Sequence, residues 1–165
     1  MFPGRVLAGL PLIGLGDHFN PFTNTINVYS SDPTILLHEG GHAKDFIGHT
    51  HRGSAFVVPR LIPGVDLIQE AWASADAIHF LQCLGDRQVE LRAYRTLYPA
   101  YSTYVAGYVP GGPLVSLPVI AAGHAVGRIS ATMRRSEIDE AEYLERLARD
   151  SGKPVIVRGC TLTPP

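Results

Sequence analysis

The stretch Leu37-His38-Glu39-Gly40-Gly41-His42-Ala43-Lys44-Asp45-Phe46 carries the sharpest signal in the chain. At 3.6 residues per turn, positions four apart share one face of a helix, so the imidazoles of His38 and His42 can converge on one point with Glu39 beside them. Two neutral ring nitrogens suit Zn²⁺, which acidifies a bound water and polarises a carbonyl. Glu39 is then the expected general base. Just upstream, Asp32-Pro33 is a helix start, because Asp can accept from the first free amides and Pro has no amide hydrogen to leave unpaired. The predicted helix covers residues 33–47 and stops near Gly48. Gly40 and Gly41 each cost such a helix about 1 kcal/mol relative to Ala. Their expected use is space, letting a second helix, a loop or a substrate come close.

A catalytic zinc site commonly has three protein ligands and one open position, so a third donor is needed. Glu70 is the leading candidate. It sits in the segment 65–84, whose apolar stripe of Leu67, Ala71, Ser74, Ile78 and Leu81 predicts a second helix central in the core. A carboxylate carried by so apolar a helix is costly to bury without a partner.

The paired motifs resemble those of the gluzincin metallopeptidases. In that group a His-Glu-x-x-His helix supplies two ligands and a Glu from a following helix supplies the third. His38, Glu39 and His42 match the first motif. Glu70-Ala71-Trp72-Ala73-Ser74-Ala75-Asp76-Ala77 looks like the Glu-x-x-Ala-Asp-x-x-Ala signature of a gluzincin family that includes membrane peptidases. The resemblance covers about residues 24–84, the minimal metal-binding core, and implies zinc-dependent peptide hydrolysis. It also implies that the segment from Asn24 to Tyr29 is an edge strand that pairs with an extended substrate. One departure stands out: Ser74 occupies the place of the signature Asp, which would orient a ligating His. Ser can hydrogen-bond but brings no negative charge. Asp76 lies on the wrong helix face to replace it, and Asp45, one turn beyond His42, is another candidate for that role.

Elsewhere the pattern is mainly helical. Short β-compatible runs at 5–12 and 25–30 suggest a small N-terminal sheet, and residues 48–64 a loop. Gly85 and Asp86 end one helix and cap another, over 87–98, which Pro99 is expected to close. Residues 96–127 contain no Asp, Glu, Lys or Arg. That length could cross a bilayer, but Pro110, Gly111, Gly112, Pro113 and Pro118 interrupt it, so two short apolar helices with a tight turn are expected. Gly123 and Gly127 would allow close helix contact. Contact with a membrane or a partner protein through 96–127 stays open. Ser136-Glu137-Ile138-Asp139 has capping-box spacing and predicts an amphipathic helix to Asp150, with a short edge strand at 154–158.

Composition narrows the function. A 165-residue chain with 45% hydrophobic and 18% charged residues and a net charge of −1 has the make-up of one folded domain and offers no field to attract nucleic acid. Cys83 and Cys160 show no metal-knuckle spacing and are expected as free thiols. The opening MFPGRVLAGLPLIGLG lacks a basic start and is broken by Pro and Gly, a poor signal peptide or spanning helix. His49, His51, His79, His124 and several tyrosines are the pool from which a donor to a developing oxyanion could come, while His18, beside Asp17, is expected in a turn or at the substrate-side rim.

The expectation is therefore a compact, mainly helical α+β zincin-like domain over 1–165, with a small N-terminal sheet and a C-terminal apolar helical hairpin at 96–127. It would hold Zn²⁺ through His38, His42 and Glu70 and cleave a peptide or protein substrate with Glu39 as base. The rival is a catalytically inactive zincin-like scaffold used for binding or assembly. The residues leave the compartment undecided between cytoplasmic and membrane-associated.

Overall fold

Three helices pack against one another about the segment that bears the two histidines, and a fourth, long helix packs on one of them. The computed structural model describes residues 16–48 and 54–152. The runs at 5–12 and 154–158, His49, His51, Cys160 and the apolar N-terminal stretch lie outside them. Two three-residue strands, β1 (His18–Asn20) and β2 (Thr25–Asn27), pair antiparallel with His18 opposite Asn27 and Asn20 opposite Thr25. Strand β1 was not foreseen, since the expected partner of β2 was the run at 5–12. Asn20 builds the turn between the strands: its side-chain oxygen accepts from the amides of Phe22 and Thr23 at 3.0 and 3.3 Å.

Helix α1 (Pro33–Gly48) begins as expected. The Asp32 carboxylate accepts from the Thr34 amide at 3.0 Å and from its hydroxyl at 2.9 Å. The expected loop instead holds a short helix α2 (Ser54–Val57) and a 3₁₀ turn (Val58–Leu61). Helix α3 (Val65–Leu84) ends at Gly85, whose φ of 75° lies in the left-handed region that glycine enters without penalty. Asp86 then caps α4 (Arg87–Ala106), its side chain accepting from the Val89 amide at 3.1 Å.

The C-terminal half corrects the predicted boundaries. Pro99 does not end α4, which continues seven residues further, with Pro99 buried. Beyond the turn, α5 (Pro113–Asp150) runs unbroken for 38 residues, so Ser136 does not start a separate helix. Its hydroxyl bonds back to the Thr132 carbonyl at 3.3 Å, a mid-helix habit of Ser. Packing outweighs both local stop signals. Gly123 and Gly127 seat α5 so closely on α4 that a Cβ at Gly127 would lie 2.5 Å from the Tyr94 carbonyl oxygen. Beyond the glycines Arg134 crosses to the buried Glu90, Nε to Oε1 at 2.5 Å. The apolar hairpin thus exists, but its arms are parts of two long helices.

The core lies in two patches on either side of the histidine face. Ala77, Leu81, Ala93 and Leu97, with Leu37, join α1, α3 and α4. Phe19, Phe46 and Phe56 stack edge to face, with centroids 5.3 to 5.9 Å apart, and fix β1 and α2 to α1. Cys83 is disulfide-bonded, which corrects the expectation of a free thiol there.

The two helical glycines differ. A Cβ at Gly41 would stand 2.7 Å from the Ala73 Cα and 2.8 Å from its carbonyl oxygen, both backbone atoms of α3, whereas nothing lies within 4 Å of a Cβ at Gly40. Gly41→Ala should therefore destabilise the fold by about 1–3 kcal/mol through overpacking. Gly40→Ala should instead stabilise it by up to about 1 kcal/mol through helix propensity. Urea denaturation of the two variants reads the opposite signs directly.

Candidate metal centre

The contact made possible by Gly41 brings Glu70 to the histidines. One turn before Ala73 on α3, the Glu70 carboxylate lies between the two rings: Oε2 is 3.0 Å from His38 Nε2 and Oε1 is 3.3 Å from His42 Nε2. All three donor atoms fall within 4.8 Å of one another. Two ligands each about 2.0–2.1 Å from a tetrahedral Zn²⁺ are themselves about 3.3–3.4 Å apart. The two His–Glu separations lie within a few tenths of an ångström of that, while the widest donor pair, at up to 4.8 Å, would have to draw together by roughly 1.4 Å on binding the ion. The donor set, two imidazole nitrogens and one carboxylate, also suits that ion. His38, His42 and Glu70 therefore form a cluster able to coordinate a metal ion, consistent with Zn²⁺, and matching the gluzincin-like His-Glu-x-x-His arrangement with its downstream Glu.

Surrounding groups hold these ligands in place. His38 Nδ1 is 3.2 Å from Ser74 Oγ. With Nε2 offered to a metal, Nδ1 carries the hydrogen and donates it to Ser74, so Ser74 does occupy the orienting position despite the missing charge. Asp76 points elsewhere, accepting from Lys44 Nζ at 2.9 Å. His42 Nδ1 is buried with no hydrogen-bond partner among the described residues, so Asp45 does not orient it. Packing does: the His42 ring meets His38 edge to face at 4.8 Å and Phe56 at 6.2 Å.

Glu39 is buried, and its Oε2 accepts the Phe19 amide of β1 at 2.7 Å. That bond fixes one oxygen and leaves Oε1 for other work. Arg60, from the 3₁₀ turn, donates from Nη2 to Glu70 Oε1 at 2.7 Å and stacks over Phe56 at 5.1 Å. Nothing in the sequence singled out Arg60, because the turn that carries it was read as loop. Burial opposes ionisation of Glu70, yet hydrogen bonds from His38 and His42, with the charges of His42 and Arg60, hold its carboxyl well below the usual carboxylate range. Burial raises the Tyr104 phenol on α4, and the negative Glu70 adds to the rise while Arg60 opposes it.

The other histidines take different places. His18 bonds the Gly16 carbonyl at 2.7 Å and Asn27 at 3.2 Å, tying the two strands. His79 lies beside Cys83, with Nε2 to Sγ at 3.8 Å, and His124 lies on α5.

No family model matches this chain, and comparison with curated proteins and with solved structures returns no match either. The functional argument therefore rests on the motif and its geometry.

Ser74→Ala should weaken zinc affinity by about tenfold, the lower end of what loss of a ligand-orienting hydrogen bond costs. Competition with a chromophoric chelator measures it. An unchanged affinity would mean that packing alone orients His38.

Proposed function

We propose that this chain hydrolyses peptide bonds, with His38, His42 and Glu70 holding Zn²⁺ and Glu39 acting as general base. The observation that carries this reading is the convergence of two imidazole nitrogens and a carboxylate within 4.8 Å, with a buried carboxylate next in sequence to the first ligand. The bound ion would supply Lewis acidity, lowering the pKa of the attacking water and polarising the scissile carbonyl. The chain's own groups would do the rest. Glu39 Oε1 accepts the proton of the water as it attacks, while the Phe19 amide keeps Oε2 in place. The same carboxyl then passes the proton to the departing amine, which leaves as a free N-terminus. Arg60, 2.7 Å from Glu70 Oε1, supplies a positive charge at the site that would favour a developing oxyanion.

Extended peptides fit this architecture. Strand β2 pairs only with β1 among the described residues, so its outer edge can accept a peptide as a further strand, close to the helix that carries Glu39. We take 24–84 as the minimal metal-binding core within one zincin-like domain, and 96–127 as the apolar hairpin that supports it from α4.

Three variants separate binding from chemistry. Glu39→Gln should retain stoichiometric zinc and lose peptide cleavage by at least about a hundredfold, as expected for loss of a general base. Glu70→Ala and His42→Ala should lose both the metal and the activity. Cleavage of an unstructured peptide library by the unaltered protein should stop on chelation and return on adding Zn²⁺. Zinc-replete protein that leaves the whole library intact would replace the hydrolytic reading with that of a binding scaffold.

A further inference from the structure

A second feature lies on the far side of α4 from the metal cluster. Residues Arg95, His124, Arg128 and Thr132, all four exposed, line an open surface pocket of about 510 Å³ where α5 meets α4. His124, Arg128 and Thr132 follow one another at spacings of four along α5, and Arg95 joins them from α4. No carboxylate lies in the lining, and among the described residues neither arginine forms an ion pair. The nearby carboxylate Glu90 is already matched by Arg134. Two exposed arginines lining one pocket with no carboxylate beside them suit an anion with several acceptor oxygens.

The surface beside this pocket is apolar. Towards the hairpin turn, 113–127 of α5 carries no charge, and its outer face is open, with Leu114 87% and Leu117 64% exposed. Only 11% of the most apolar 18-residue window of α5 is buried. The uncharged run is roughly 22 Å long at about 1.5 Å per residue, well short of the 30 Å hydrocarbon core. Asp139 and Glu140 then stand exposed on the outer face of the C-terminal half. An apolar face, arginines along its flank and acidic groups further along describe a helix that lies in a lipid interface by its first half only.

We propose that α5 docks on an anionic phospholipid membrane, with the pocket of Arg95, His124, Arg128 and Thr132 receiving a lipid headgroup phosphate while Leu114 and Leu117 enter the acyl boundary. Charge complementarity selects this occupant: a lipid offers phosphate to the two arginines and hydrocarbon to the exposed leucines of the same helix. The inference is independent of hydrolysis, since none of these residues belongs to the metal cluster.

Sedimentation of the full chain with vesicles tests it, in both zinc-loaded and chelated protein so that the result stands apart from activity. Binding should be strong to phosphatidylcholine vesicles containing phosphatidylserine and weak to phosphatidylcholine alone. It should fall about fivefold for each of Arg95→Gln and Arg128→Gln. Leu114→Ser with Leu117→Ser should abolish it while circular dichroism stays unchanged, as these side chains are exposed. Equal binding to both vesicle types, or full binding by the doubly substituted arginine variant, overturns the proposal. So does saturation of the pocket by inorganic phosphate with no vesicle binding, which would make it a free-anion site. A dimer dispersed by the leucine substitutions, again without vesicle binding, would assign the face to a second copy of the chain.

Discussion

The close approach of α1 and α3 at Gly41 and Ala73 is the constraint on which the rest depends. Helices normally keep their axes about 8–10 Å apart because side chains separate them. Here one missing side chain lets backbone meet backbone, and Glu70, one turn along α3, reaches two imidazoles that its own helix could not otherwise touch. The arrangement buries a carboxylate, a cost that only matched partners offset. Two ring nitrogens and the Arg60 guanidinium supply that match. The two apolar patches then clamp the pair of helices, one from the α4 side and one from the phenylalanine cluster.

Much of the site was legible in the sequence because its signals are local. The His-Glu-x-x-His spacing works through helical periodicity alone, and Asp32, Gly85 and Asp86 announce helix ends through chemistry that acts within a few residues. Glu70 was readable for a different reason: a charge on an apolar stripe asks for a partner. Arg60 and the Phe19 amide gave no such sign. Arg60 sits in an irregular segment whose path is set by Phe56 packing into the core, and a backbone amide has no identity in a sequence. Ser74 was read as a weakness, yet the geometry gives it the orienting bond, since the rotamer that reaches His38 depends on the helix pair rather than on the residue's own neighbours.

Boundaries in the C-terminal half were misread for one shared reason. Pro99 and Ser136 are local stop and start signals worth a few kcal/mol at most. They compete with a long interface built on Gly123, Gly127 and the buried Glu90–Arg134 pair, which rewards continuous helix on both sides. Charge-free composition was visible in advance, but not that, among the described residues, α5 would lean mainly on α4 and leave its other side uncovered.

The bond between Glu39 and the Phe19 amide has a mechanical consequence. A carboxylate with one oxygen moored to a strand is not fixed by its own helix alone; its position is tied to the hairpin as well. The small sheet thus helps to set where the carboxylate stands relative to the imidazoles. The placement of Glu39 is thereby written into strand pairing, some twenty residues upstream of the side chain it holds.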